Sequence, residues 1–433
     1  MNSDQPAADV EPAAGVSLWR APQFRSYLTG TASVGLALAM QQLLLSWILV
    51  GILQLPAAQV GTLQALIGVP GIFFTLWGGA RSDSSDARML LLRIYWIAPV
   101  FPLFLLVVEQ LHGLSTPAVL TWGMGVAIIQ ALSMPAQQAI VNKISGQHVQ
   151  QGVTAATAVQ YVVQVVGLLI AGQMDRLGLQ VVLLAQILGF CGAALAIMRI
   201  ESQALVAGTS TSPMRQIAEG LRATWAHPLI LSVLIINFVS SAFNAGSFMT
   251  VLPFVVKLVY QGDALALGLL MAIFFTGAAG SNALLLRFMP IARPGRLYLL
   301  MQLSRIIALA CIYFAAGWPM LILGVVLWGL NMGVTSNLAR MLVQETAPEA
   351  YRGRILAVFT VSMVGSAPLG AVVLGFIIQG FDPLTALWPA MLVSAGLTLY
   401  GVMFTPVWGY RSEFAPSATG APDSETDEKG ASR

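Results

Sequence analysis

Charge is what this chain has least of. Only 9% of its 433 residues are Asp, Glu, Lys or Arg, against 57% apolar, whereas a soluble globular protein carries roughly 25% charged residues. A water-facing surface cannot be covered at that density. The two cysteines, Cys191 and Cys311, each sit inside an apolar run, which implies neither a disulfide framework nor a redox pair. His112, His148 and His227 are scattered without metal-ligand spacing, so no metal is expected. None of the three lysines, Lys143, Lys257 and Lys429, follows a glycine, and the phosphate-binding loop of a Walker-type ATPase is therefore missing. The apolar segments hold no base to activate a nucleophile, so enzymatic chemistry has little to stand on. No cofactor is expected, and nucleic-acid binding gets no support.

What the chain does have is apolar length. A membrane-crossing helix takes ~20 apolar residues. The pattern places twelve at about 24–53, 58–80, 89–110, 118–142, 151–173, 178–199, 229–257, 264–287, 296–316, 319–341, 352–379 and 384–406. The first twenty residues hold Asp4, Asp9 and Glu11 and no apolar core, so the first span is expected to serve as the targeting signal. With the N-terminus placed in the cytoplasm, eighteen of the 21 Lys and Arg residues fall on the cytoplasmic side; Arg176 and Lys257 fall outside, and Arg305 falls within the ninth span. That bias puts both termini in the cytoplasm.

The halves echo one another. Trp19-Arg20-Ala21-Pro22 leads into the first span, and Trp225-Ala226-His227-Pro228 leads into the seventh, 206 positions later. Gly167 and Gly172 in span five match Gly370 and Gly375 in span eleven at an offset of 203. Two matches at nearly one offset suggest duplication of a six-helix unit, which puts a binding site between two bundles near the bilayer midplane. The expected fold is an all-α membrane protein of two pseudo-symmetric six-helix bundles. Its parts are a cytoplasmic tail over 1–23, bundles over 24–199 and 229–406, a cytoplasmic linker over 200–228 and a disordered cytoplasmic tail over 407–433.

The segment Gly79-Ala80-Arg81-Ser82-Asp83-Ser84-Ser85-Asp86-Ala87-Arg88 resembles the major facilitator superfamily signature G-x-L-A-D-R-x-G-R-K. Gly79, Asp83 and Arg88 match it, while Ser84, Asp86 and Ala87 depart from it. The resemblance implies an inner gate, in which Asp83 contacts the start of span eleven beside Arg352 and Arg354; a helix N-terminus attracts an anion. The alternative is a solvated loop charge balancing Arg81 and Arg88. The segments Pro22 to Gly30, Pro135-Ala136-Gln137-Gln138-Ala139, Glu219-Gly220-Leu221-Arg222 and Gln344 to Gly370 are similar to an efflux branch that contains enterobactin exporters and macrolide-efflux proteins, considered proton-driven antiporters. Gln137 stands where that branch often has arginine.

Polar residues in mid-span are Gln41, Gln42, Gln130, Gln160, Gln164, Asn244 and Asn331. The resemblance implies that spans one, four, seven and ten line a central cavity, which makes Gln41, Gln42, Gln130, Asn244 and Asn331 the substrate-facing candidates. Interhelical hydrogen bonding is the other reading. Trp47, Phe243, Phe248 and Trp328 add either a cavity wall or lipid-facing surface. Arg305 either attracts an anionic substrate or plays a structural part, bonded to helix carbonyls or to Gln302.

No carboxylate lies in mid-span. Coupling would then use Asp83, Glu109 or Asp175 at the edge of the pathway, or the membrane potential acting on a charged substrate, or no energy source at all. The function expected is export of a small amphipathic molecule, a siderophore or drug, by alternating access from the bacterial inner membrane, with protons as possible partners and a monomer among lipids. The alternatives are an uptake permease, a potential-driven facilitator or a sensor on the same scaffold.

Overall fold

The computed structural model describes residues 18–84, 86–201, 213–412 and 414. Among them, eleven stretches are long and apolar enough to cross a membrane, and one, Thr116–Leu177, folds back at Gly146–His148 and so holds two crossings. The twelve spans are α1 (Pro22–Ile52), α2 (Ala57–Ser84), α3 (Ala87–His112), α4 (Thr116–Ser145), α5 (Val149–Gly172), α6 (Leu179–Met198), α7 (Pro228–Val259), α8 (Ala264–Arg287), α9 (Pro294–Tyr313), α10 (Trp318–Thr346), α11 (Arg352–Gly380) and α12 (Leu387–Phe404). No strand occurs among the described residues. Twelve crossings return the chain to the end where it began, so one end is terminal and the other distal.

Local chemistry starts the helices. Pro22 and Pro228 each open the first span of a half, where a missing N–H is no loss. Asp86 and Asp263 cap α3 and α8 by accepting from the N–H groups of Arg88 (2.9 Å) and Ala266 (2.8 Å). Helix α2 runs on to Ser84 and α3 starts at Ala87, so most of the signature segment expected as a loop is helical.

The duplication extends well beyond the two sequence echoes. Both α1 and α7 loosen into a π-turn at their distal ends, Ile48–Ile52 and Val255–Val259, and each is followed by a left-handed glutamine, Gln54 (φ 49°) and Gln261 (φ 51°), 207 positions apart. The glycine pairs explain themselves through packing. A side chain on Gly167 would strike α1, 2.7 Å from the Leu36 carbonyl, and one on Gly370 would strike Ala242 of α7. The second glycine of each pair faces the other half: a Cβ on Gly172 would lie 3.2 Å from Leu265 in α8, and one on Gly375 would lie 2.6 Å from the Ala57 carbonyl in α2. Each repeat thus binds its own half with one glycine and the opposite half with the other.

The cross-half contacts form two seams, α2–α11 and α5–α8. Their tightest points are Gly61, whose Cβ would lie 2.2 Å from the Ala371 carbonyl, and Gly268, whose Cβ would lie 2.9 Å from that of Leu168. Without side chains in the way, the helix backbones approach closely, which is how apolar helices associate in lipid.

The helix Pro213–Trp225 bridges the halves, and its Glu219 pairs with Arg354 at 2.8 Å. The C-terminal tail departs from expectation at its start. Residues 407–412 pack onto the second half: Arg296 donates to the Trp408 carbonyl (3.2 Å), and Tyr410 and Ser412 donate to the two carboxylate oxygens of Glu345 (both 3.1 Å). Polar composition at this point reflects bonding to Glu345, not absence of structure. Residues 415–433, which carry the rest of the expected disorder, lie outside the described residues.

Candidate transport pathway

The two ends of the bundle differ. In α1 from Ala39 to Val50 only Gln42 and Leu45 are partly exposed, and in α7 from Gly246 to Val256 only Met249 is. Toward the terminal end both helices alternate between buried and partly exposed residues.

Among the described residues, hydrogen bonds between the halves concentrate at the distal end. Gln64 of α2 donates to the Met249 carbonyl (3.0 Å) and accepts from the Thr250 hydroxyl (2.6 Å). Ser46 donates to the same carbonyl (3.4 Å), and the Ala58 N–H donates to Gln379 (3.2 Å). Asp175 sits in the short helix Met174–Leu177 after α5. One of its oxygens accepts from the Trp47 indole N–H (3.2 Å), and the other accepts from the backbone N–H of Ala264 at the start of α8 (2.8 Å). A carboxylate belongs there because the helix N-terminus carries unpaired donors and partial positive charge. The Lys257 ammonium lies 5.2 Å from the centre of the Trp47 ring.

The candidate cavity residues separate into three kinds. Gln130 of α4 is exposed in mid-helix, with Gln160 of α5. Gln42 is partly exposed and accepts from Gln164 of α5 (2.8 Å), and Asn244, also partly exposed, accepts from the Trp328 indole. Gln41 and Asn331 are buried. Gln41 accepts from Gln186 of α6 (2.9 Å), inside the first half. Asn331 accepts from Arg305 Nε (3.3 Å) and donates to Ser304 (2.8 Å), inside the second. The aromatic candidates Trp47, Phe248 and Trp328 are buried; Phe248 and Trp328 pack with Phe274 at ring separations of 4.3 to 5.8 Å. Gln137 donates to the Tyr95 hydroxyl (2.7 Å) within the first half, where an amide is satisfied without any counter-charge.

At the terminal end, α2 passes through Gly79 and Asp83, but the surroundings of Gly79 and the side chain of Asp83 lie outside the described residues. Arg88 donates to the Met198 carbonyl at the end of α6 (3.0 Å), a cation at a helix C-terminus. Arg354 is held by Glu219, and Arg352 is exposed. One cross-half chain was not expected: Asn337 of α10 donates to Asn282 of α8, which donates to the Tyr161 hydroxyl of α5 (2.6 Å). Its residues lie outside the mid-span list, and only the α5–α8 seam brings them together.

Comparison with known proteins agrees with this architecture. The family model described as Major Facilitator Superfamily matches residues 27–371. The enterobactin exporter EntS of Escherichia coli O81 is 27% identical over 191 residues, and that of Escherichia coli O9:H4 (strain HS) 29% identical over 194. Each match covers 44% of this chain and 44% of the relative, less than half the length of either. Among solved structures, the nucleoside transporter NupG aligns with a TM-score of 0.67 at 11% identity, over 90% of this chain and 99% of that one. A bacterial homolog to the human lysosomal transporter Spinster, in an inward-facing and unoccupied conformation, aligns with a TM-score of 0.64 at 14% identity, over 90% and 96%. These structures share the fold. With its duplicated twelve-span bundle and a family match over most of its length, the chain belongs to the Major Facilitator Superfamily and is an integral multi-pass membrane protein.

Proposed function

We propose that the protein exports a small amphipathic molecule across the bacterial cytoplasmic membrane by alternating access, and that the present structure is the state open toward the terminal, cytoplasmic end. The observation that carries this reading is the asymmetry of the ends: Asp175, Gln64 and Gln379 join the halves distally, while Gln130 and Gln160 stay exposed in mid-helix. Arginine enrichment supports a cytoplasmic terminal end. Similarity to proteins named enterobactin exporters supports the outward direction.

Gln42, Gln130 and Asn244 contact substrate in this account, and Gln41 and Asn331 hold the walls behind them. When the terminal end closes, Asp83 meets the start of α11 near Arg352 and Arg354, with Gly79 and Arg88 shaping the approach. The protein works as a monomer. Coupling to protons runs through a carboxylate at the pathway edge, Asp83, Glu109 or Asp175.

A second reading, a facilitator driven by the membrane potential, is favoured by one observation: no carboxylate of the described residues lies in mid-span. Liposomes loaded with a pH-sensitive dye distinguish the two, using catecholates, macrolides and cationic dyes as substrates. Substrate-triggered proton movement that is lost in Asp83→Asn is the expected result. Substrate flux without proton movement would favour the facilitator, and no flux in either direction would overturn both.

A further inference from the structure

One buried charge has no part in the pathway just described. Arg305 lies 11 residues into α9 and is 3% exposed, ~16 Å from the helix start at 1.5 Å per residue. Its Nε donates to Asn331 Oδ1 (3.3 Å), and its Nη1 donates to the Ser240 hydroxyl of α7. Both acceptors are neutral, and no carboxylate of the described residues pairs with it. A buried cation without a counter-charge is strongly unfavourable, and intramembrane charges are normally paired or functional.

The cluster around Arg305 is also short of acceptors. Ser240 in turn donates to Gln302 Oε1 (3.0 Å), so Asn331 Oδ1, Ser240 Oγ and Gln302 Oε1 are all engaged. On the donor side, Gln302 Nε2 and the Tyr298 hydroxyl are buried, and neither finds an aligned acceptor outside this pair. A guanidinium has five N–H donors, and two are used here. Tyr298, Gln302 and Arg305 follow one another at i, i+4 and i+7, one face of α9. That face is donor-rich, positively charged and dry.

Duplication shows that the fold does not need this charge. Positions 203–207 earlier are Ala98, Pro99, Val100, Phe101 and Pro102, none of them charged. The first half closes its third span with no charge at the matching depth, its arginines Arg88 and Arg93 lying in the first two turns, so Arg305 is an addition to one copy of the repeat.

We infer that Arg305, Gln302 and Tyr298 bind a small anionic group between α7, α9 and α10. The anion accepts from the unused N–H groups of Arg305, from Gln302 Nε2 and from the Tyr298 hydroxyl, and it supplies the missing counter-charge. A guanidinium fork suits a two-oxygen acceptor such as a carboxylate, and a phenolate or a halide fits the charge alone. The site adjoins the pathway: Ser240 is one turn from Asn244 along α7, and Asn331 is one turn from Trp328 along α10. The group is either a free inorganic anion or the acidic group of an organic one.

Thermal unfolding of the purified full-length protein tests this, and because it measures binding without flux, it can fail while the transport reading stands. Chloride, nitrate, benzoate and salicylate are each titrated against bulky gluconate at constant ionic strength. Wild type is expected to show a saturable rise in Tm with at least one of them. The midpoint should move several-fold to higher concentration in Tyr298→Phe and Gln302→Leu, and the rise should vanish in Arg305→Gln. In gluconate alone, Arg305→Gln should unfold at a higher temperature than wild type, because an unpaired charge has been removed; a purely structural arginine predicts the opposite. Response to chloride and nitrate assigns a free anion, and response to benzoate and salicylate alone assigns an organic one. If Arg305→Gln does not fold, Tyr298→Phe decides: a shifted midpoint supports the site, and an unchanged one overturns it. No saturable response in wild type, or the same response in Arg305→Gln, also overturns it.

Discussion

The distal and terminal ends of this bundle are made by the same helices and held in different ways. Distally, Gly61 meets Gly375 and Gly172 meets Gly268 across the two seams, with Cβ-to-Cα approaches of 3.2 to 3.4 Å, and polar bonds from Asp175, Gln64 and Gln379 close the gap between α1, α2, α7 and α8. Toward the terminal end, among the described residues, the halves still touch where a Cβ on Gly68 would lie 2.8 Å from Pro368, and beyond the Tyr161–Asn282 bond the linker helix is tied to α11 by the Glu219–Arg354 pair. The difference teaches where the switch lies. In the alternating-access reading proposed above, the backbone-to-backbone seams serve as pivots, whereas the distal polar bonds are few, and their loss frees the halves to rock. Within each half the spans meet through glycines such as Gly167 and Gly370, and in that reading each half moves as a packed body.

The comparison breaks most severely at the pivots. Gly61→Val puts side-chain atoms into the Ala371 carbonyl, and overpacking of this kind costs about 1–3 kcal/mol or more. Monodisperse yield and flux should both collapse. Gly268→Ala, where the clash is milder, should keep a folded protein with a lower Tm, so the two seams differ in the order of their distances.

Asp175→Ala comes next. Hydrogen bonds to a charged group contribute about 1.5–3 kcal/mol, so losing the links to Trp47 and Ala264 should shift the balance toward distal opening by about tenfold or more. Cysteine accessibility at Val50, now buried, measures the shift. Gln64→Leu removes two neutral bonds of about 1 kcal/mol each and leaves Thr250 unpaired. The same assay should show a several-fold change. Glu219→Gln should have the smallest effect. Its ion pair is about one-third exposed, such pairs contribute at most about 1 kcal/mol, and the change in transport rate should disappear at high salt.

The spans, their number and the duplication were legible in the sequence, because a bilayer imposes length and apolarity on every crossing and duplicated glycines keep their spacing. The partners of those glycines were not legible, since a Gly-x4-Gly spacing names no neighbour. The same limit applies to the amides. Gln41 and Gln42 are adjacent in sequence, yet a helix turns adjacent residues by 100°; Gln41 therefore reaches α6 and Gln42 reaches α5. Asn331 looked like a cavity residue, but its oxygen is taken by Arg305, a contact between α9 and α10 that no sequence period reveals. Asp175 stood out as an edge carboxylate. Its partner, the first N–H of α8, belongs to the other half, and only the folded chain shows it.

Paired spin-label distances across both ends test the rocking account most directly. In a background lacking Cys191 and Cys311, one pair spans the distal end at Leu111 and Phe381, and another spans the terminal end at Gln147 and Arg287, all exposed positions. Introducing Asp175→Ala should lengthen the distal distance and shorten the terminal one together, while a pair within the first half, Leu111 and Gln147, keeps its distance. Distal lengthening with no terminal change, or a change within the half, would contradict rigid halves rocking about two glycine seams.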